Sequence, residues 1–338
     1  MSDEKDDKQD VWVGFDLGGT KMLAVILDEN LKPLGRKRRK TRGHEGADAG
    51  LERIEETIQK AFKDADVDPS RLRGIGIGCP GILDLKKGII NEAPNLGWTD
   101  AMVCSYLNKK YDVPVILLND VDAGLYGEYH FGAAKKSRSV LGIFPGTGIG
   151  GAFLYEGKIM QGDGRSCMEI GHIQVMPDGP LCGCGRRGCL EAVASRLAIS
   201  AAIAQAAFRG QAPYVRDQVG TDLSEIRSGM ISEAVEKDKV VKQIVQDAAY
   251  QIGIAAGSMI HLLSPDKIVL GGGLAEALPD LFKKGVKSGI EDWIMPSFKD
   301  SYEVKVAELG DDSAVLGAAA YARDTFHNRV KEEESDAS

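Results

Sequence analysis

Several things are missing from this chain, and each absence narrows what it can be. No run of about 18 apolar residues occurs, so no membrane-spanning helix is expected. The opening MSDEKDDKQD is acidic and has no apolar core, unlike a secretory leader, so a cytoplasmic protein is expected. Positive charge is not in excess: 42 Lys and Arg stand against 50 Asp and Glu, a formal charge of −8. That balance gives no general pull toward nucleic-acid backbones. No G-x-x-x-x-G-K-[ST] phosphate loop is present, and none of the three strand-end glycine turns fits G-x-G-x-x-G followed by a helix. About ten residues precede the first apolar run, fewer than the two helices of a DNA-reading helix-turn-helix need, so no such motif is expected there. Six cysteines without an export signal argue against a disulfide framework.

What is present suits a globular protein. At 338 residues, 43% hydrophobic and 27% charged, the chain is long for one core, and two domains are expected. VWVGFDL from Val11 reads as a buried strand, KMLAVILD from Lys21 as a second, and RKRRKT from Arg36 as a third with an exposed, solvated face. Leu51, Ile54, Ile58 and Phe62 mark one face of a helix over residues 50–65. LRGIGIGCPG and VPVILLND resemble interior strands feeding loops at their carboxyl ends. Residues 192–260 are helix-rich and offer a face for a dimer or tetramer. DKIVLGGGL is a strand running into glycines, and GDDSAVLGAAAYAR a loop and closing helix. The first ten residues and the last eight, KEEESDAS, read as solvated tails.

The opening hairpin has an echo. At an offset of 128, Gly14 falls on Gly142, Gly18 on Gly146, Ala24 on Ala152 and Asp28 on Glu156. Each copy reads strand, glycine turn, strand, charged turn. A chance match of glycines remains the alternative, but two such openings point to a duplicated α/β fold with a cleft between its halves. The expected division is residues 1–120 plus 311–338 in one domain and 121–310 in the other.

Three glycine turns follow strands: Gly18, Gly19, Thr20; Gly146, Thr147, Gly148; and Gly271, Gly272, Gly273. Glycine there lets backbone N–H groups approach an anion. A tight hairpin explains any one of them; three, with Asp16 beside the first, favour nucleotide phosphates. Asn119 and Asp120 end an apolar run, where α/β proteins place ligands. Asp120 there can act as a general base with Asn119 orienting a substrate, or can cap a helix, although Asp122 fits the cap better.

The densest signal is EIGHIQVMPDGPLCGCGRRGCLEA, residues 169–192. His172, Cys182, Cys184 and Cys189 supply four soft donors, a complete set for structural zinc. Gly183, Gly185 and Gly188 let the chain wrap an ion, and Arg186 and Arg187 help offset thiolate charge. Free loop thiols are the alternative. Cys79, Cys104 and Cys167 lie outside the spacing and are expected to be plain thiols. Fastening His172 and Cys189 also fixes Glu169 and Glu191, so the ion is expected to hold carboxylates against a polyhydroxyl substrate.

Taken in order, DLGGTK, GIGIGCPGILD, NLGW, LLNDVDAGLYGE, GTGIGGA, EIGH, CGCGRRGCLE and IVLGGGL resemble the ROK family of sugar kinases and repressors over essentially the whole chain, most of all its glucokinases. The resemblance implies an actin-like, ribonuclease-H-type duplicated fold, ATP with Mg²⁺ as phosphoryl donor, and bound Zn²⁺. It implies Asp120 as catalytic base, and Asn119, Glu169, His172 and Glu191 as sugar contacts, with Gly81 and Asn95 lining the same site. It implies His172, Cys182, Cys184 and Cys189 as zinc ligands. Gly18, Gly19, Thr20 and Lys21, with Gly146, Thr147 and Gly148, would hold phosphates. Gly271, Gly272 and Gly273 would lie near the adenosine, and Asp16 would orient Mg²⁺. Glucose is the expected sugar. Fructose, N-acetylmannosamine, N-acetylglucosamine, allose or a repressor's role are the alternatives. Two positions depart from the family pattern: Met168 stands where a glycine is usual, and Asp122 where an asparagine is common.

Overall fold

The computed structural model describes residues 10–164 and 167–336. The chain groups into two compact units: Met1–Phe131 with Ile159–Cys167 and Asp311–Ser338, and Gly132–Lys158 with Met168–Gly310. The first unit begins with β1 (Val11–Leu17), β2 (Lys21–Asp28), β3 (Pro33–Lys40), α1 (Ala47–Ala65) and β4 (Leu72–Cys79). It continues through β5 (Ile82–Asp84), β6 (Ile89–Ala93), β7 (Trp98–Ala101), α2 (Val103–Tyr111), β8 (Val115–Asn119) and α3 (Asp120–Phe131). The main sheet runs β3-β2-β1-β4-β8, and β5, β6 and β7 form a small sheet of their own. Strands β1, β4 and β8 are parallel, while β2 is antiparallel to both its neighbours. The near-continuous apolar runs of β1 and β4 are buried on both faces, as interior parallel strands require, while β8 at the edge of the sheet is half-buried.

The second unit holds β9 (Ser139–Pro145), β10 (Ile149–Tyr155) and β11 (Lys158–Ile159). Five helices follow: α4 (Leu190–Ala194), α5 (Arg196–Phe208), α6 (Pro213–Val219), α7 (Ser228–Val235) and α8 (Lys239–Leu263). Then come β12 (Lys267–Leu270), α9 (Gly273–Ala277), α10 (Pro279–Trp293) and β13 (Glu303–Val306). Its sheet runs β11-β10-β9-β12-β13, the same plan as the first: a hairpin whose first strand continues into two parallel neighbours. The duplication expected from the 128-residue echo is present strand for strand. The chain then returns to the first unit with α11 (Ser313–Asp336).

Several local expectations correspond to these elements. Leu51, Ile54, Ile58 and Phe62 of α1 are all buried. Cys79 and Cys104 are buried thiols. The domain division moves: α3 packs along α11, so the chain leaves the first unit at 131/132 and not at 120/121. Of the expected tails, residues 1–9 and 337–338 lie outside the described residues, whereas the backbone of 331–336 continues α11. The basic strand β3 is not merely solvated. Arg36 Nη2 lies 2.6 Å from Asp312 Oδ1, Arg38 Nη1 2.8 Å from Asp311 Oδ2, and Arg39 Nη1 2.6 Å from Glu56 Oε2. Among the described residues no helix is long and apolar enough to cross a membrane.

Candidate functional site

In the first unit, the candidate residues gather at the carboxyl ends of the parallel strands. Asp16 on β1 pairs with Gly78 on β4, and Cys79 pairs with Asn119 on β8. Asp120 opens α3 immediately after β8. Burial, then the nearby carboxylates of Asp120 and Asp311, push Asp16 up to about 7, against a smaller pull from Arg38. Burial, then Asp120 and Asp16, also raise the Cys79 thiol. Burial is the larger cause of both shifts, and the neighbouring carboxylates add to it. The start of α3 is capped by its first residue and the one before it. Val121 N donates to Asn119 Oδ1 at 2.9 Å and to Asp120 Oδ1 at 3.0 Å, while Asp122 is buried inside the helix. Asn119 and Asp120 thus both take part in capping the start of α3, which also sets the direction of the Asp120 carboxylate.

The 18–20 turn sits beside these groups in sequence and is tied from outside by Thr41. Thr41 Oγ1 donates to Gly18 O at 2.6 Å, and Thr41 N to Thr20 O at 2.9 Å. Lys21 opens β2 and is exposed. Asn95 adjoins the turn: a Cβ on Gly19 would lie 3.1 Å from Asn95 Cβ. Gly81, with φ 117, follows β4 two residues after Cys79. Asp16, Asn119 and Asp120 thus share the carboxyl end of the sheet, with Asn95 beside the glycine turn. Asp311, Arg38 and Thr41 belong to this neighbourhood but carry no local motif that would have marked them.

In the second unit, the other two glycine turns are neighbours. Gly271 N donates to Ile143 O at 3.0 Å, and a Cβ on Gly272 would lie 2.4 Å from Pro145 O. The 271–273 turn therefore packs on the end of β9, where the 146–148 turn begins. Glu191 reaches the same place from α4. Its Oε2 accepts from Ile149 N at 3.0 Å, and a Cβ on Gly148 would lie 2.3 Å from that oxygen. Arg196, absent from the sequence-based candidates, adds two bonds: its N donates to Gly146 O at 2.9 Å and its Nη2 to Thr147 Oγ1 at 3.0 Å.

The cysteine loop folds as its spacing suggests. Cys182 N donates to Arg186 O at 2.8 Å and Gly185 N to Cys182 O at 2.9 Å, a tight wrap. Gly188 has φ 70, and a Cβ there would fall 1.5 Å from Met176 O, so glycine is required. One donor atom from each of His172, Cys182, Cys184 and Cys189 falls within 4.8 Å of the others. Cys184 and Cys189 sulfurs are 3.6 Å apart, and His172 Nδ1 is 3.7 Å from Cys182 Sγ. Tetrahedral zinc with bonds of about 2.3 Å sets sulfur pairs about 3.8 Å apart, so the four donors fit such an ion. Cys167 stands apart and donates to Met160 O at 3.0 Å. Glu169 is exposed, one turn before His172. Met168 holds φ 61, a left-handed conformation that explains a usual glycine there, and its side chain packs against the second unit's core.

Comparison with known proteins follows the same lines. A glucokinase of Halalkalibacterium halodurans is 31% identical over 330 residues, 96% of this chain and 98% of that protein. A ROK family glucokinase of Streptomyces griseus, solved with glucose and AMPPNP, aligns with a TM-score of 0.79 at 29% identity, covering 93% of this chain and 99% of that one. A xylose repressor of Caldicellulosiruptor bescii is 28% identical over 264 residues, 78% of this chain and 65% of that protein. The ROK family model matches residues 12–325, and the chain belongs to the ROK family.

Proposed function

We propose that the chain is an ATP-dependent hexose kinase that phosphorylates glucose on its C6 hydroxyl. The observation that carries this reading is Asp120, set at the carboxyl end of β8 with Asp16 as a close charged neighbour. Its family membership and its likeness to glucokinases over nearly its full length support the same reading. In the reaction the sugar oxygen bonds to the γ-phosphorus as the bond to the ADP oxygen breaks. Asp120 takes the hydroxyl proton. Asn119, Glu169, His172, Glu191, Gly81 and Asn95 are read as contacts to the sugar. The histidine has a nitrogen to spare, because Nδ1 faces Cys182.

Gly18, Gly19, Thr20 and Lys21, with Gly146, Thr147 and Gly148, are read as phosphate contacts, and the 271–273 turn as the adenosine side. Mg²⁺ bound with ATP would supply charge neutralisation. Asp16, crowded by Asp120 and Asp311, is the carboxylate suited to hold it. His172, Cys182, Cys184 and Cys189 are read as the residues that would hold Zn²⁺, and four protein donors would make it a structural staple and leave the chemistry to other groups. ATP as phosphoryl donor supports a cytoplasmic reading. Leu262, Trp293 and Met295, exposed at the ends of α8 and α10, support a homo-oligomer, which light scattering tests.

A coupled ADP-release assay over glucose, fructose, allose, N-acetylmannosamine and N-acetylglucosamine tests the substrate, with glucose expected to give the highest kcat/KM. Asp120→Asn is expected to bind glucose and lose about 10²–10⁴-fold in kcat. Near-full turnover in that variant removes the base from the scheme. The repressor match supports a second reading, the sugar-binding part of a DNA regulator. Retention of DNA in a gel shift, with no ADP release on any sugar, would favour it.

A further inference from the structure

The loop that gathers the four metal donors and the 146–148 turn are separate in sequence, yet one short element joins them. Cys189 is followed at once by α4, a single turn of five residues, and then by Ser195 and α5. From that element Glu191 turns one carboxylate oxygen onto Ile149 N at 3.0 Å, while the other lies 3.8 Å from Cys182 Sγ. The same oxygen that holds Ile149 occupies the space over Gly148, where a Cβ would come within 2.3 Å. Arg196 grips the other side of the turn through Gly146 O and Thr147 Oγ1. The start of α5 is itself fixed, since Ser195 Oγ accepts from Ala198 N at 3.2 Å.

We infer that Glu191 is a positioning residue that links the metal-binding loop to the 146–148 turn, so that metal loading shapes nucleotide affinity as well as the sugar side. The inference rests on the reading of 146–148 as a phosphate-binding turn. A glycine turn binds phosphate only while its N–H groups converge, and glycine makes that geometry cheap to lose. A carboxylate accepting from the first residue after the turn holds it closed, and a charge-assisted bond of this kind is among the stronger ones. Glu191 can do this only while its own backbone is held, and Cys189, two residues earlier, is what the metal holds.

The test compares the zinc-loaded full chain before and after chelation, and Glu191→Ala and Glu191→Gln at full zinc content. Three quantities are read: amide exchange at Ile149 by NMR, AMPPNP affinity without sugar, and glucose affinity without nucleotide. Chelation is expected to speed Ile149 exchange about tenfold or more and to weaken AMPPNP by a similar factor. Glu191→Ala should reproduce both changes with zinc still bound, and chelating that variant should add nothing at Ile149, as residues acting in series require. Glu191→Gln, which keeps an oxygen acceptor, should retain the Ile149 protection and most of the AMPPNP affinity. The inference is overturned if zinc-loaded Glu191→Ala keeps both Ile149 protection and AMPPNP affinity and loses only glucose. It is equally overturned if chelation still speeds Ile149 exchange tenfold in that variant. A wild-type chain that binds no AMPPNP would defeat the phosphate reading of the turn, and the Ile149 exchange would then decide the linkage alone.

Discussion

In the first hairpin, the innermost pair is Leu17 with Met22, which leaves between them the 18–20 turn and Lys21, already part of β2; in the second it is Pro145 with Ile149, leaving only 146–148. The 128-residue echo aligns the strands, but the second turn is one residue tighter. Each turn is then held by different partners. Thr41 ties the first from outside, while Glu191 and Arg196 grip the second. The offset also places Asp16 on Phe144. Phe144 packs on Gly271, where a Cβ would come within 2.3 Å of its ring. Asp16 instead meets Asp120 and Asp311 and is pushed up to about 7. The same backbone plan thus carries an apolar contact in one copy and a strained charge in the other. A fold that needs only a strand end at that point leaves the side chain free to serve chemistry.

The sharpest break of this contrast is Asp16→Asn. Removing the carboxylate offered to Mg²⁺ is expected to lower kcat about a hundredfold in steady-state assays. Stability should move the other way. The Asp16 value is raised from 3.8 to about 7, so its stabilising contribution is complete below pH 4 and lost as pH rises through about 7. The variant should therefore melt above wild type at pH 8, and the two should converge near pH 4 in thermal scans without ligand.

Next comes an exchange of turn residues, since the offset places Thr20 on Gly148. Gly148→Thr drives a side chain into Glu191 and is expected to cost about 2–3 kcal/mol by urea unfolding. Its mirror, Thr20→Gly, should cost under about 1 kcal/mol. Equal costs would mean the two turns are held alike.

The first copy is also covered by α11, whose Val315 O would lie 2.0 Å from a Cβ on Gly14. Asp324 fastens that helix to α3. Burial would raise this carboxyl, but His130, Arg323 and Tyr126 outweigh it and hold it at about 2. A depressed value contributes stability above pH 4 that is lost as pH falls toward 2. Asp324→Asn should thus cost about 2 kcal/mol at pH 7, with the gap closing below pH 4 in pH-dependent denaturation.

The smallest effect is expected beside the second copy. Met168 bears a left-handed backbone, a cost of about 1–2 kcal/mol that glycine would relieve, set against lost packing on the core. Met168→Gly should stay within about 1 kcal/mol of wild type. Met22→Gly, in the buried strand of the first copy, should cost more than about 3 kcal/mol in the same unfolding assay.

Much of the fold was legible because its signals are local. β1 and β2 begin and end where their apolar runs do, α1 follows from the spacing of four apolar residues, and the four metal donors follow from their density. The small sheet of β5, β6 and β7 was not, because its strands span three to five residues and mix charged with apolar side chains. Strand β13, four residues long, was missed for the same reason, and helix α2, nine residues long, was also missed. In the candidate site, the residue types were visible, but their partners were not. Nothing near Arg196 in sequence announces a bond to Thr147, 49 positions away.

By itself the sequence determined the duplicated strand–turn–strand plan, the three glycine turns, the donor set and the carboxylate after β8, since each depends on neighbours within a few positions. Only the tertiary structure decided that Asp16 is crowded by two other carboxylates, that the arginines of β3 are paired, and that Glu191 holds a glycine turn. Those outcomes depend on burial and on distances between residues far apart in the chain. They are set when the sheets and helices pack, by desolvation and by which groups are left close enough to share a proton or a charge.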